Sequence, residues 1–299
     1  MKQAVAQKPM RKKMGDRAFP RIMLTPTLIV MAVLTAYPLI STVVYSFTDY
    51  QYLKGIDNAN IIAFQNFTSL FSDSYFRQAV FNTVKFTVLA VVFEMVLGLL
   101  VAVFVNSLKF RLQKIMRTLV LLPYLLPAVT VALSFRMMLS ANYGIVNQVL
   151  GSLGLPVHNW FMETKTAFGT ILFIDVWQNV PFVFLLLYAT LQTVPETQYE
   201  AARIDGAGVV QQFFSITIPN IKSGLALCAL LRTIDTFRLF EKVNILTGGG
   251  PAGTTSTITQ YLYEYGIKRL KFGFGSAGAI VMTLLVLILS SLYIKRAIK

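Results

Sequence analysis

Six long apolar runs divide this chain, and they constrain its fold more than any other feature. A helix needs about 20 apolar residues to cross the hydrocarbon core of a bilayer. Within that core each backbone N–H and C=O must find its partner inside the structure, a need that a helix meets within itself. The runs are read as spans at Ile22–Tyr45, Thr83–Val105, Thr118–Met138, Phe168–Thr190, Ile221–Leu246 and Gly275–Ile294. The fifth is the weakest, because charge crowds its second half. The expected fold is an all-α integral membrane protein with six transmembrane helices. Only 13% of the 299 residues are charged, against about 25% in a soluble domain. So few charges cannot clothe a globular surface. The first span follows the basic cluster Arg11-Lys12-Lys13 but is too long for a signal-peptide core. No small-x-small cleavage site follows it, so it reads as an uncleaved anchor.

The net charge of +14 would point to nucleic acid in a soluble chain. Here its distribution gives a simpler account. With the N-terminus inside, residues 1–21, 106–117, 191–220 and 295–299 hold 15 of the 27 Lys and Arg. Residues 46–82, 139–167 and 247–274 hold 6. Basic residues accumulate on the cytoplasmic side, so both termini are expected in the cytoplasm. With no RNA-reading motif, no nucleic-acid partner is expected. The single cysteine, Cys228, leaves no internal disulfide, and the single histidine, His158, leaves no multi-His metal centre. Neither a metal site nor a catalytic set is expected.

Ionisable groups inside a span are expensive and need a partner or a water-filled path. In the fifth span Arg232, Asp235, Arg238 and Glu241 recur every third residue with alternating sign. On one helix they would sweep about half the circumference, with Lys242 on the same side, and neighbours would neutralise each other. In the second span Lys85 lies near an end and can extend its amine toward water. Glu94 is central and needs a partner on another helix. The fourth span carries Asp175, Trp177, Gln178 and Asn179 ahead of Pro181. Asp175 and Gln178 share a face, and Pro181 frees a backbone carbonyl. These groups fit both interhelical glue and the lining of a solute path.

Residues 191–220 form the longest internal cytoplasmic segment. Thr193-Val-Pro-Glu196 has the pattern of a capping box. A helix is expected through Tyr199–Ile204, a joint at Gly206 and Gly208, then a second short helix that Pro219 ends. Spacing alone fits a knob for a partner's groove or an interfacial helix pair lying on lipid.

Several residues here carry a resemblance. Glu200-Ala201-Ala202, Asp205-Gly206-Ala207 and Ile216 through Pro219 resemble the EAA loop of binding-protein-dependent ABC importer permeases. Asn82-Thr83, Leu122-Pro123-Tyr124-Leu125-Leu126-Pro127 and Tyr143-Gly144-Ile145-Val146-Asn147 are also similar to that family. Leu246-Thr247-Gly248-Gly249-Gly250-Pro251 resembles its carbohydrate-uptake branch, in a compact six-span form. The similarity runs from about Phe64 to the end.

The resemblance implies an ABC type-1 permease fold in a bacterial cytoplasmic (inner) membrane. It divides the chain into a basic tail (1–21), a first helix with its external loop (22–79) and a transmembrane core (80–299). The core carries a coupling loop at about 193–219. The implied partners are a second homologous permease, two ATPase subunits and a periplasmic or lipid-anchored solute-binding protein, with a carbohydrate as substrate. Glu200, Ala201, Ala202, Asp205 and Gly206 would couple to the ATPase. Asp175, Trp177, Gln178, Asn179, Asp235 and Arg238 would lie on the substrate path. The sequence contains no Gly-Lys dipeptide and hence no phosphate-binding P-loop. No cofactor is therefore expected on this chain, and ATP and Mg would sit on the partner ATPase. An importer permease for another solute is the nearest alternative. A secondary transporter, independent of ATP, is the next, although no repeat relates the first three spans to the last three.

Overall fold

The structure is a computed structural model that describes residues 15–297. The basic cluster at Arg11–Lys13 and the last two residues lie outside the described residues. Within the described residues the regular structure is helical, apart from one antiparallel bridge between Thr48 and Ile61. Among the described residues five helical stretches are long and apolar enough to cross a membrane, and six if one bent pair counts as a span.

Helix α1 (Gly15–Ser46) runs along the last helix, and residues 23–40 are all exposed within the chain. A loop and the short α2 (Gln65–Ser72) lead to α3 (Ser74–Asn106). The Asp73 carboxylate accepts the Tyr75 N–H at 2.7 Å, which caps α3 well before the expected start at Thr83. With 33 residues, α3 measures about 50 Å and outruns the hydrocarbon core.

The third span differs from the straight helix expected over Thr118–Met138. It is α4 (Phe110–Leu125) and α5 (Ala128–Met138), which meet at 87°. Pro127 forces the break. It lacks an N–H, and its ring pushes Leu126 into extended backbone at ψ 134°. After α6 (Ile145–Ser152), α7 (Ala167–Leu191) forms the central span, followed by α8 (Glu196–Ile204) and α9 (Val209–Gln212).

Pro219 does not end a helix, as expected from sequence. The chain stays helical from α9 through a wide π-turn at Phe213–Thr217 into α10 (Ile218–Phe237). Proline removes one donor and crowds the carbonyl four residues back, and the wider turn just upstream is where the ladder adjusts. The expected fifth span also breaks, at residues 238–240, before α11 (Glu241–Leu246). The polar stripe read on one helix is therefore split between two. Helix α12 (Ile258–Leu262) and a second π-turn at Tyr263–Lys268 precede α13 (Phe272–Ala297).

The core sits where α3 crosses α7. A Cβ on Gly98 would fall 2.4 Å from Val183 Cγ1, so glycine there sets the closeness of the two helices. One apolar cluster joins α3, α7 and α10 through Ala102, Val183, Phe184, Leu187, Ile221 and Cys228. Another joins α3, α5, α7 and α11 through Phe86, Ala90, Val131, Ile171, Ile174 and Val243. Between these two clusters lies the polar group described next.

Candidate functional site

The breaks in the third and fifth spans both face α7. Together they open a cavity of about 340 Å³. Its walls are Asp175, Gln178 and Asn179 of α7, Arg232 and Asp235 of α10, Arg238 of the broken segment, and Glu241 and Lys242 of α11. Tyr124 and Ala128 complete it from the α4–α5 bend. The bend is itself part of the site. It strands the Leu126 carbonyl, which accepts the Gln178 Nε2–H at 2.8 Å.

Glu94 finds its partner in Arg232. The guanidinium grips the carboxylate through Nε–Oε2 at 2.7 Å and Nη2–Oε1 at 3.1 Å, with Thr236 Oγ1 3.3 Å from Nη2. Lys242 Nζ donates to Asp175 Oδ1, and Asn179 Nδ2 donates to the same oxygen at 3.1 Å. The four ionisable groups Glu94, Asp175, Arg232 and Lys242 are at most 4% exposed. Removing one member of such a buried pair leaves an uncompensated charge and costs about 3–5 kcal/mol. The outer part of the cavity is different. Asp235 and Arg238 are more than half exposed and 3.9 Å apart, a pairing worth about 0–1 kcal/mol.

Of the expected path residues, Asp175, Gln178, Asn179, Asp235 and Arg238 come together on this cavity. Trp177 does not line it. It points off another face of α7 and packs edge-on to Phe135 with ring centroids 5.3 Å apart. The ladder expected along the fifth span forms only in part. Arg232–Asp235 at 3.5 Å and Asp235–Arg238 at 3.9 Å are present. Glu241 starts a new helix, and Lys242 reaches back to α7. Lys85 lies 4.6 Å from the Phe168 ring centroid.

The segment 193–219 is the second candidate. The capping box expected at Thr193 is not formed. Thr193 Oγ1 donates to Thr190 O at 2.7 Å, and α8 starts behind Pro195, which offers no side-chain cap. The end of α8 is sharply defined. Gly206 N–H bonds Arg203 O at 3.1 Å, and Ala207 N–H bonds Ala202 O at 2.8 Å. This pair of bonds is a Schellman stop, and it needs the left-handed φ of +80° that Gly206 supplies. Tyr199 OH lies 2.8 Å from Thr217 Oγ1, and Asn220 Nδ2 donates to Gln198 Oε1 at 2.8 Å. These bonds stitch α8 onto the start of α10. Glu200, Ala201, Asp205 and Gly206 are exposed and Ala202 is half-buried. Beside them stand the apolar side chains of Ile204, Val209, Val210 and Phe214, each at least 65% exposed.

Residues 94–296 match the family described as binding-protein-dependent transport system inner membrane component. The chain belongs to this family. It is a multi-pass inner-membrane permease. It is 34% identical over 282 residues to the sulfoquinovosyl glycerol transport system permease protein of Agrobacterium fabrum, covering 94% of this chain and 91% of that one. It is 35% identical over 274 residues to the trehalose/maltose transport system permease protein of Thermococcus litoralis, covering 92% of each. Its fold matches a permease chain of a bacterial alginate ABC transporter with a TM-score of 0.85, at 22% identity over 97% of this chain and 98% of that chain. The fold is thus that of a type-1 ABC permease.

The family-like motifs now have physical roles in this permease. Asn82 Nδ2 donates to Gly253 O at 2.8 Å and Ser256 O at 3.1 Å, and Thr83 Oγ1 accepts the Ile258 N–H at 2.9 Å. They pin the glycine-rich loop, where Gly248 and Gly249 have φ of +61° and +90°. Asn147 Nδ2 donates to His158 O at 2.8 Å, and its Oδ1 accepts the Trp160 Nε1–H at 3.0 Å. Tyr261 OH donates to Asp73 Oδ2 at 2.6 Å, and burial, reinforced by that bond, pushes its phenol pKa up. The buried partners of Glu94 and Asp175 escaped sequence reasoning, because each lies far along the chain on another helix.

Proposed function

We propose that this permease forms half of the translocation path of an ATP-driven saccharide importer. Its partners would be a second homologous permease, two ATPase subunits and an external solute-binding protein, soluble or lipid-anchored. The observation that carries the reading is the near-complete alignment with two permeases named for sugar-containing solutes. The lysine and arginine bias supports cytoplasmic termini and a cytoplasmic 193–219 loop. The permease has no ATPase site of its own in this reading, and ATP and Mg act on the partner.

Coupling would run through the loop. The exposed Glu200, Ala201, Ala202, Asp205 and Gly206 offer a slim helix end to an ATPase groove. Ile204, Val209, Val210 and Phe214 add apolar anchors of the kind that fill partner pockets. When the ATPases close, α8 moves. The Tyr199–Thr217 and Gln198–Asn220 bonds carry that motion into α10, which holds Arg232 at the cavity wall. Rigid-body tilting of this unit gives alternating access.

The test is affinity purification of the permease from its native membrane, followed by reconstitution of what comes with it. A P-loop ATPase and a second permease in the eluate, with ATP-dependent sugar uptake, are the expected result. Recovery of an isolated chain whose uptake collapses on proton-gradient dissipation with ATP present would instead identify a secondary transporter. ATP-driven uptake of a different solute would keep the mechanism and reject the saccharide.

A further inference from the structure

We infer that the permease carries a separate sugar site on its external side, in the pocket between the glycine-rich loop, the first turns of α3 and α12. The inference rests on the importer reading above and adds a place where the solute stops outside the transmembrane cavity. The pocket measures about 190 Å³ and shares no lining residue with that cavity. All of its walls come from residues 46–82 and 247–274, which the lysine and arginine bias puts outside. Gln260 forms the floor. It is 2% exposed, and neither its Nε2 nor its Oε1 has a hydrogen-bond partner among the described residues. Its backbone is fixed, because its N–H donates to Thr257 Oγ1 at 3.3 Å and it lies beneath the loop that Asn82 pins. The amide itself has no bond to break and can turn about its side-chain torsions toward the pocket.

An unpartnered buried amide is costly at both ends. Satisfying both takes a ligand that donates and accepts at adjacent atoms. Neighbouring hydroxyls on a sugar ring do so, since each is at once a donor and an acceptor. The glycine-rich loop keeps the space for it. A Cβ on Gly249 would fall 3.2 Å from Gln260 Cγ, so a side chain there would press on this residue. The other walls suit a sugar as well. Tyr75 is 58% exposed at the rim, and Tyr265 stacks on Tyr261 with centroids 4.4 Å apart, so aromatic rings bound the pocket. Ser256 adds a hydroxyl, and Glu264, the charged residue on the lining, is held by Lys268 at 2.9 Å. A water takes about 30 Å³, so a single trapped water would leave most of the pocket empty.

The test uses Ser256→Cys in the intact transport complex without nucleotide. Ser256 lines the pocket, and the native Cys228 is fully buried. The rate of labelling by an uncharged maleimide is measured with maltose, trehalose or glucose, taking the one that the reconstituted complex imports. At ten times its dissociation constant the sugar should slow labelling about tenfold. Adding Gln260→Leu should abolish this protection without lowering the unfolding midpoint, because leucine removes two unpartnered buried groups. Gln178→Leu, in the transmembrane cavity, should leave the protection intact. Protection lost with Gln178→Leu and kept with Gln260→Leu would overturn the inference, since the sugar would then act from the cavity. A midpoint lowered by Gln260→Leu with protection unchanged would also overturn it, because the amide would then hold trapped water only. No protection in a complex that imports the sugar would sink this inference and leave the importer reading standing. A complex that imports none of the three fails the saccharide reading, and this inference falls with it.

Discussion

Glu94, Asp175, Arg232 and Lys242 are at most 4% exposed and each has an opposite charge beside it. Glu196, Glu200, Arg203 and Asp205 of the 193–219 segment are exposed, and none forms an ion pair among the described residues. The two regions show what charge is for in each setting. In the apolar interior an ionised group must be matched, so the quartet locks α3, α7, α10 and α11 to one another. On the loop, water solvates each charge at no structural cost, and the side chains remain available to another protein. One region holds the helices together, and the other, in the proposed reading, is the part that moves.

The sharpest way to break this comparison is Glu94→Leu. It leaves Arg232 buried and unpaired, and should cost about 3–5 kcal/mol. Thermal unfolding of the detergent-purified permease should show a large drop. The double variant Glu94→Leu/Arg232→Met should recover much of it, because the lone charge is gone. Wild-type stability in the single variant would show that the pair does not lock the helices.

Next comes Gly98→Val, which forces a side chain against Val183 where a Cβ already falls at 2.4 Å. Overpacking of this kind costs about 1–3 kcal/mol. The loss should appear in the same unfolding experiment, and an unchanged midpoint would mean that α3 and α7 separate freely.

Gly206→Val sharpens the other side of the comparison. Nothing lies within 4 Å of a Cβ at Gly206, so the obstacle is its φ of +80°, not space. The strain is about 1–3 kcal/mol and local to the loop. The permease should insert and unfold nearly as before while ATP-coupled uptake is abolished. Normal uptake in proteoliposomes would remove the loop from coupling. The smallest effect is expected from Tyr199→Phe, which deletes the bond to Thr217 at a cost of about 0.5–1.5 kcal/mol. The ratio of sugar-stimulated to basal ATPase activity should fall with little change in stability. An unaltered ratio would show that α8 moves α10 by some other contact.

Much of the 193–219 segment was legible because its signals are local. Gly206 and Gly208 act on backbone beside them, and the helix, stop and second helix appear where those residues place them. Two local readings did not hold. Val194 precedes a proline and so cannot carry the turn that a capping box at Thr193 needs. Pro219 is absorbed by a π-turn, which no short window of sequence announces. In the cavity, the residue types on α7 and α10 were legible, but Trp177 went to a different face and the stripe of the fifth span was cut at residues 238–240.

The apolar runs by themselves determined a helical, multi-pass architecture, since hydrocarbon offers the backbone no hydrogen bonds from outside. The distribution of lysine and arginine carried a preferred orientation by the same local arithmetic. Only the tertiary structure decided which charges meet. Glu94 and Arg232 are 138 residues apart, and Asp175 and Lys242 are 67 apart. Helical periodicity relates a residue to neighbours three or four positions away. The partners of a buried charge are chosen by how whole helices cross, and that choice exists only once α3, α7, α10 and α11 are packed.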